Sequence, residues 1–132
     1  MPLKINLKPG EKIIIGGAVI KNAERPATLY IENKVPLLRE RDIMKEGDAV
    51  TYCSKIYFVI QLMYIDGKNM LDYHNIYWRL VRELVEAIPR TAGIIDQISQ
   101  KILEENYYQA LKLTKKLMEF EKEVLKNVKS RY

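Results

Sequence analysis

Covalent chemistry has little to draw on in this chain, which contains one histidine, His74, and one cysteine, Cys53. No serine sits in a nucleophile elbow, and no spacing supplies the roughly three or four convergent ligands of a zinc site. Cys53 lies inside an apolar helical pattern and reads as a buried structural thiol. His74 precedes an apolar helix face and reads as an ordinary surface or capping residue. Gly16-Gly17 is followed by Ala18-Val19 instead of Lys and Ser or Thr, so a phosphate-loop reading fails and the glycines read as turn residues. These residues predict no enzyme, no metal and no cofactor.

Recognition of an anion is better supplied. Lys4, Asn6 and Lys8 alternate along one segment, and Arg39 and Arg41 share a face if their strand continues to Ile43. Brought side by side, the two segments would form a positive strip, with lysines neutralising phosphates and guanidinium groups also able to stack on bases. Glu40 and Asp42 alternate with the arginines and would bound that strip. A solvated face with scattered charges is the competing reading. A second basic concentration, Lys112, Lys115, Lys116, Lys122, Lys126, Lys129 and Arg131, has Glu119, Glu121 and Glu123 among it and reads as a helix exterior. Tyr107, Tyr108 and Met118 are candidates to line a groove for a partner helix, against the alternative that they pack a helix hairpin.

Composition permits these readings without selecting one. The 132 residues carry 22 basic and 17 acidic side chains, a net charge of +5, which favours anionic partners. A hydrophobic share of 48% and a charged share of 30% place the chain in the globular range. A lone cysteine excludes an intrachain disulfide and fits a reducing compartment. The first ten residues lack the apolar core of a secretory signal, and Ile56 to Ile65, broken by Gln61, is too short for a bilayer. A cytoplasmic protein with no membrane association is the expectation.

Two kinds of periodicity must position the candidate residues. Leu3, Ile5 and Leu7 alternate with Lys4, Asn6 and Lys8 as in a half-buried strand, and Pro9-Gly10 supplies a turn. Lys12 to Ile15, Gly16-Gly17 and Ala18 to Ile20 read as a hairpin, followed by strands over Ala27 to Glu32 and from Pro36 to about Arg39. After Gly47 the period becomes helical. Asp48 is expected to cap a first helix ending near Ile65, with Ile56, Ile60 and Met63 on its apolar stripe. A second helix carries Ile76, Leu80, Leu84 and Ile88 on one face, with Tyr73, Tyr77, Val81 and Val85 beside them, and stops at Pro89. A third is expected over Thr91 to Glu105, and a fourth after an Asn106/Gln109 capping box, displaying Leu111, Leu117, Met118, Val124, Leu125 and Val128. The predicted fold is α+β: a small antiparallel sheet of about five strands in residues 1–46, then a bundle of about four helices in residues 47–132.

Several ordered blocks carry a family resemblance. Met1-Pro-Leu-Lys-Ile-Asn-Leu-Lys-Pro-Gly-Glu-Lys-Ile-Ile-Ile-Gly-Gly-Ala-Val-Ile20 resembles the opening of the FlbT family. Tyr30-Ile-Glu-Asn-Lys34, Leu38-Arg-Glu-Arg-Asp-Ile43, Ile56-Tyr-Phe-Val-Ile-Gln-Leu-Met-Tyr64 and Tyr107-Tyr-Gln-Ala-Leu-Lys112 are similar to successive blocks of that family. The resemblance implies a post-transcriptional regulator of flagellum biogenesis that binds the 5′ untranslated region of flagellin mRNA and promotes its decay. Flagellin itself, its export chaperone or another flagellar regulator is the alternative partner, held by the helical half. Lys8-Pro-Gly-Glu-Lys-Ile-Ile-Ile-Gly16 and Arg39-Glu-Arg-Asp-Ile43 also resemble segments of the carbon storage regulators, which are strand-exchanged homodimers. That likeness implies RNA contacts at Lys4, Asn6, Lys8 and Arg39, with Arg41 alongside, and a homodimer.

Overall fold

The computed structural model describes residues 2–130, with side chains described for 2–127. The expected contributions of Val128, Lys129 and Arg131 therefore lie outside the described side chains. The chain divides into two compact units, Met1–Ile43 and Met44–Tyr132.

The first unit holds the strands β1 (Leu3–Leu7), β2 (Lys12–Ile15), β3 (Ala18–Lys21), β4 (Ala27–Ile31) and β5 (Leu37–Arg39). They are antiparallel and form two sheets, β1-β4 and β3-β2-β5. Alternation along β1 buries Ile5 and Leu7 and exposes Lys4 and Asn6. Ile5, Leu7 and Ile13 form a shared core against which Ile15, Leu29, Ile31 and Leu37 pack, so side chains of both sheets meet there. Full burial contributes about 1.5–3 kcal/mol for each such aliphatic side chain. β2 is the middle strand of its sheet and encloses Ile13 and Ile14 on opposite faces, which explains its unbroken aliphatic run.

Two turns set this topology. After β1 the Glu11 N–H donates to the Lys8 carbonyl at 3.0 Å, with Pro9 and then Gly10 at φ 74° in the central positions. That is the residue order and geometry of a type II turn. Between β2 and β3, Gly16 and Gly17 both have positive φ, 56° and 87°, as a two-residue type I′ hairpin requires. A Cβ on Gly16 would also lie 2.9 Å from a Val35 methyl, so substitution there is blocked twice.

β5 does not continue to Ile43, as a shared strand face for Arg39 and Arg41 would require. It ends at Arg39, and Glu40–Asp42 form a 3-10 turn closed by the Ile43 N–H on the Glu40 carbonyl at 3.1 Å. The register pairs Ile13 with Arg39, so residues 41 and 43 would fall opposite Glu11 and Pro9. Those residues belong to the turn after β1, and proline has no N–H to donate, so the ladder has no partner to continue along.

The second unit contains α1 (Tyr52–Ile65), α2 (Met70–Ala87), α3 (Ala92–Leu103) and α4 (Tyr107–Ser130). Thr51, not Asp48, caps α1: its hydroxyl accepts the Ser54 N–H at 3.1 Å while Ser54 Oγ accepts the Thr51 N–H at 2.8 Å. Asp48 instead sits in a 3-10 turn, Glu46–Asp48. α1 packs against α2 and α4, and α3 packs against α4. Flanked in this way, α1 buries Ile56, Tyr57, Val59, Ile60 and Met63. On α2 the buried side takes Leu80 and Leu84 from the expected row and Tyr77 and Val81 from the row beside it, while Ile76 is 38% exposed.

Between α3 and α4 the chain reverses through Glu105 at φ 60°, with the Asn106 N–H on the Lys101 carbonyl and the Glu105 N–H on that of Ile102. These two bonds make a Schellman close, and the Asn106 side chain then accepts the Gln109 N–H at 3.4 Å to start α4. Among the described residues no buried side-chain polar atom lacks a hydrogen-bond partner. Gln61 receives the Met44 N–H and donates to the Met44 carbonyl, at 2.8 and 2.9 Å, and the Tyr77 hydroxyl meets Ser99 Oγ at 2.7 Å. No helix among the described residues is long and apolar enough to cross a membrane.

Candidate nucleic-acid interface

In the first unit, β1 and β5 are not neighbours in a ladder, yet a side chain links them. The guanidinium of Arg39, at the end of β5, donates through Nη2 to the Asn6 carbonyl at 2.7 Å and stands 3.4 Å from the Glu11 carboxylate. The other oxygen of Glu11 accepts the Lys8 N–H at 2.8 Å. One carboxylate thus holds the turn after β1 against the end of β5. The Lys8 amide, followed by the Arg39 guanidinium, keeps the Glu11 carboxyl below its ordinary value.

Around this link lies an open depression of about 540 Å³, lined by Asn6, Lys8, Pro9, Gly10, Glu11, Arg39, Glu40 and Arg41. Four of the five nominated residues, Asn6, Lys8, Arg39 and Arg41, therefore share one concavity. Lys4 lies outside its lining, one outward-facing position beyond Asn6 on β1. The nominated cations are not equivalent. Arg39 is half-buried and committed to Asn6 and Glu11, whereas the Arg41 side chain is 81% exposed and its nearest carboxylate, Asp42, is 3.9 Å away. Arg41 leaves from the 3-10 turn and not from the strand face. Lys4 and Lys8 are exposed on the outward side. Residues 1–43 carry eight basic and five acidic side chains, so this third of the chain holds most of the positive excess.

Three members of this surface, Glu11, Thr28 and Tyr30, are not singled out by the sequence. Glu11 sets the position of Arg39, and only the fold reveals it, because its partner is 28 residues away. Tyr30 is 61% exposed on β4, directly opposite Lys4, and Thr28 stands opposite Asn6. Alternation in Ala27–Ile31 was the available signal, since it turns Thr28 and Tyr30 outward together.

In the helical unit, Tyr107, Tyr108 and Met118 are all partly buried. Tyr108 packs against Tyr64 of α1 at 6.2 Å between ring centroids, and the Lys112 ammonium sits 4.8 Å above its ring. Partial burial, with the Glu105 carboxylate second, raises the Tyr107 phenol. Tyr107 and Met118 are eleven positions apart and share a face, while Tyr108 lies about 100° around the helix. An open depression of about 510 Å³ occurs elsewhere, at the start of α1, where Val50, Tyr52, Lys55, Arg79, Glu83, Glu121 and Leu125 contribute to the lining.

The single cysteine is buried. Cys53 is 1% exposed, and burial first, then the Glu121 carboxylate, raises its thiol well above the ordinary range. Glu121 also accepts the Cys53 N–H at 3.3 Å, tying α4 to the first turn of α1. Among the described residues no group of three His, Cys, Asp or Glu side chains is placed to hold a metal ion.

Comparison with known proteins matches residues 3–125 to the family model described as "Flagellar protein FlbT". A relative in Caulobacter vibrioides, "Flagellum biosynthesis repressor protein FlbT", is 36% identical over 132 residues, covering 98% of this chain and 94% of its own. The "Probable flagellum biosynthesis repressor protein FlbT 1" of Bradyrhizobium diazoefficiens is 42% identical over 125 residues, covering 94% and 85%. The corresponding "Probable flagellum biosynthesis repressor protein FlbT" of Rhodopseudomonas palustris is 38% identical, covering 95% and 98%. No solved structure matches.

Proposed function

Since the chain belongs to the FlbT family, we propose that it is a post-transcriptional repressor of flagellum biogenesis that binds the 5′ untranslated region of flagellin mRNA. Its relatives carry the name of flagellum biosynthesis repressors, which supports the regulatory half of this reading. The RNA half is supported by one observation: Lys8, Arg39 and Arg41 surround the outward Asn6 edge of β1, with Lys4 extending the same face. Cations arranged along an outward ribbon neutralise phosphates without any covalent step, and a bound protein then limits translation or exposes the message to nucleases.

Binding of the full chain to a flagellin leader RNA, measured across a salt series, tests the proposal. Replacing Lys4, Lys8 and Arg41 together by alanine removes the cations not committed to the fold. Each lost single-strand phosphate contact lowers the salt slope by about 0.7, so the triple variant should lose about 2. An unchanged slope and affinity would refute this surface.

A protein partner on the helical half is the second reading, with flagellin or a flagellar chaperone as its candidate. It is favoured by exposed Val50, Tyr52 and Leu125 around the depression at the start of α1, beside charged Lys55, Arg79 and Glu83. Co-purification with flagellin that is lost in a Val50→Asp, Leu125→Asp variant would support it. Retention of flagellin by that variant would count against it.

A further inference from the structure

Resting on the reading that the first unit binds RNA, we propose that the outward face of the β1-β4 ribbon is a subsite for one unpaired nucleotide, with its base stacked on Tyr30 and its phosphate held by Lys4. The strand register brings these groups together: Lys4 is paired across the ladder with Tyr30, and Asn6 with Thr28. Directly opposed residues hold their Cβ atoms about 5 Å apart, so ammonium and phenol ring rise side by side from the same surface. Tyr30 is 61% exposed, and its ring has no aromatic or cationic partner among the described residues.

The neighbouring pair completes the site. Thr28 Oγ1 donates to Asn6 Oδ1 at 3.0 Å, which fixes the amide and leaves its NH₂ as a donor for a base edge or sugar oxygen. This pair lies about 7 Å along the strands from the Lys4/Tyr30 pair, within reach of the same nucleotide or the next. Beyond Asn6 the face opens into the basic depression with Lys8 and Arg41. A flat π surface, a cation and an amide donor in one line are what a splayed-out nucleotide requires. A base inside a duplex keeps both faces stacked on its neighbours and cannot use the ring. The chemical class assigned to this site is therefore single-stranded nucleic acid, presented in a loop or an open segment.

The test uses the full chain, a single-stranded oligonucleotide from a flagellin leader, and the same oligonucleotide annealed to its complement. Tyr30→Ala should weaken single-strand binding by roughly 5- to 150-fold, the equivalent of about 1–3 kcal/mol for one stacked base. Its salt slope should stay unchanged, because no charge is removed, and duplex binding should be unaffected. Tyr30→Phe and Tyr30→Trp should retain affinity. Lys4→Ala should instead lower the slope by about 0.7. If the wild-type chain binds the single strand and Tyr30→Ala binds it equally well, the stacking site is overturned while the RNA reading stands. If Tyr30→Ala weakens duplex and single strand alike, or lowers the slope as well, the ring acts otherwise than by stacking and the proposal fails. Absence of binding by the wild-type chain overturns both.

Discussion

Glu11→Gln removes one negative charge from the basic depression while keeping an oxygen to accept the Lys8 N–H. In the wild type that carboxylate faces the Arg39 guanidinium at 3.4 Å and is held in its charged form by Lys8 and Arg39. Without the charge, Arg39 stays anchored to the Asn6 carbonyl but its positive field is no longer cancelled locally. The depression then gains the equivalent of one phosphate-neutralising cation. For single-stranded RNA this steepens the salt slope by about 0.7, so the ratio of affinities at 50 and 200 mM salt grows by about 2.5-fold over the wild type. Fluorescence anisotropy of a labelled leader RNA across a salt series reads this directly. The sign of the pH response follows from the lowered carboxyl. Its contribution to the first unit is complete above the ordinary carboxylate range and is lost as pH falls through the lowered value. Wild type and variant should therefore converge only in that acidic window. A variant whose slope equals or falls below that of the wild type at neutral pH, with an unchanged circular dichroism spectrum, would show that the depression does not face phosphate.

Three further outcomes concern the helical unit. Gln61→Ala deletes both side-chain bonds to the Met44 backbone and should cost about 2 kcal/mol in urea unfolding, with faster exchange of the Met44 amide; unaltered exchange would refute the clamp. Tyr77→Phe leaves the buried Ser99 hydroxyl without its partner and should cost about 1–2 kcal/mol in the same assay, with Ser99→Ala in that background recovering part of the loss. Burial raises the Cys53 thiol and pushes the Tyr77 phenol up to about 12, so both groups contribute stability below their ordinary values that is lost as pH rises beyond them. Melting temperature should fall through the alkaline range, and less steeply in Cys53→Ala.

How much of this is legible in the sequence depends on whether the cause is local. Alternation from Leu3 to Lys8 fixes which side chains face outward, and Pro9-Gly10 and Gly16-Gly17 announce their turns, because each effect acts within a few residues. The pairing of β1 with β4 is not local, and so the split into two sheets and the placing of Tyr30 opposite Lys4 are hidden. Arg39 was legible as a basic residue near β1, but its commitment to Asn6 and Glu11 depends on contacts 33 and 28 positions away. The end of β5 is set by the turn its partner strand grows from, not by residues 40–43 themselves. Asp48 and Thr51 are both competent caps, and the choice falls to Thr51 because Ser54 can return the bond. Ile76 and Tyr77 differ by one helical step, and tertiary packing, not hydrophobicity, decides which points inward. In the helical unit Tyr108 stood out as an aromatic, yet its ring is engaged by Tyr64 and Lys112.

β3 encloses none of its four side chains and holds to its sheet through main-chain bonds with β2 alone. Selection can therefore act on its backbone path and charge with little regard to side-chain shape. Among descendants of a common ancestor, Ala18 to Lys21 should drift faster than Ile13 and Ile14, whose replacement disturbs a closed interior. The glycine pair at the hairpin tip should change least of all, since the reversal leaves it almost no permitted alternative.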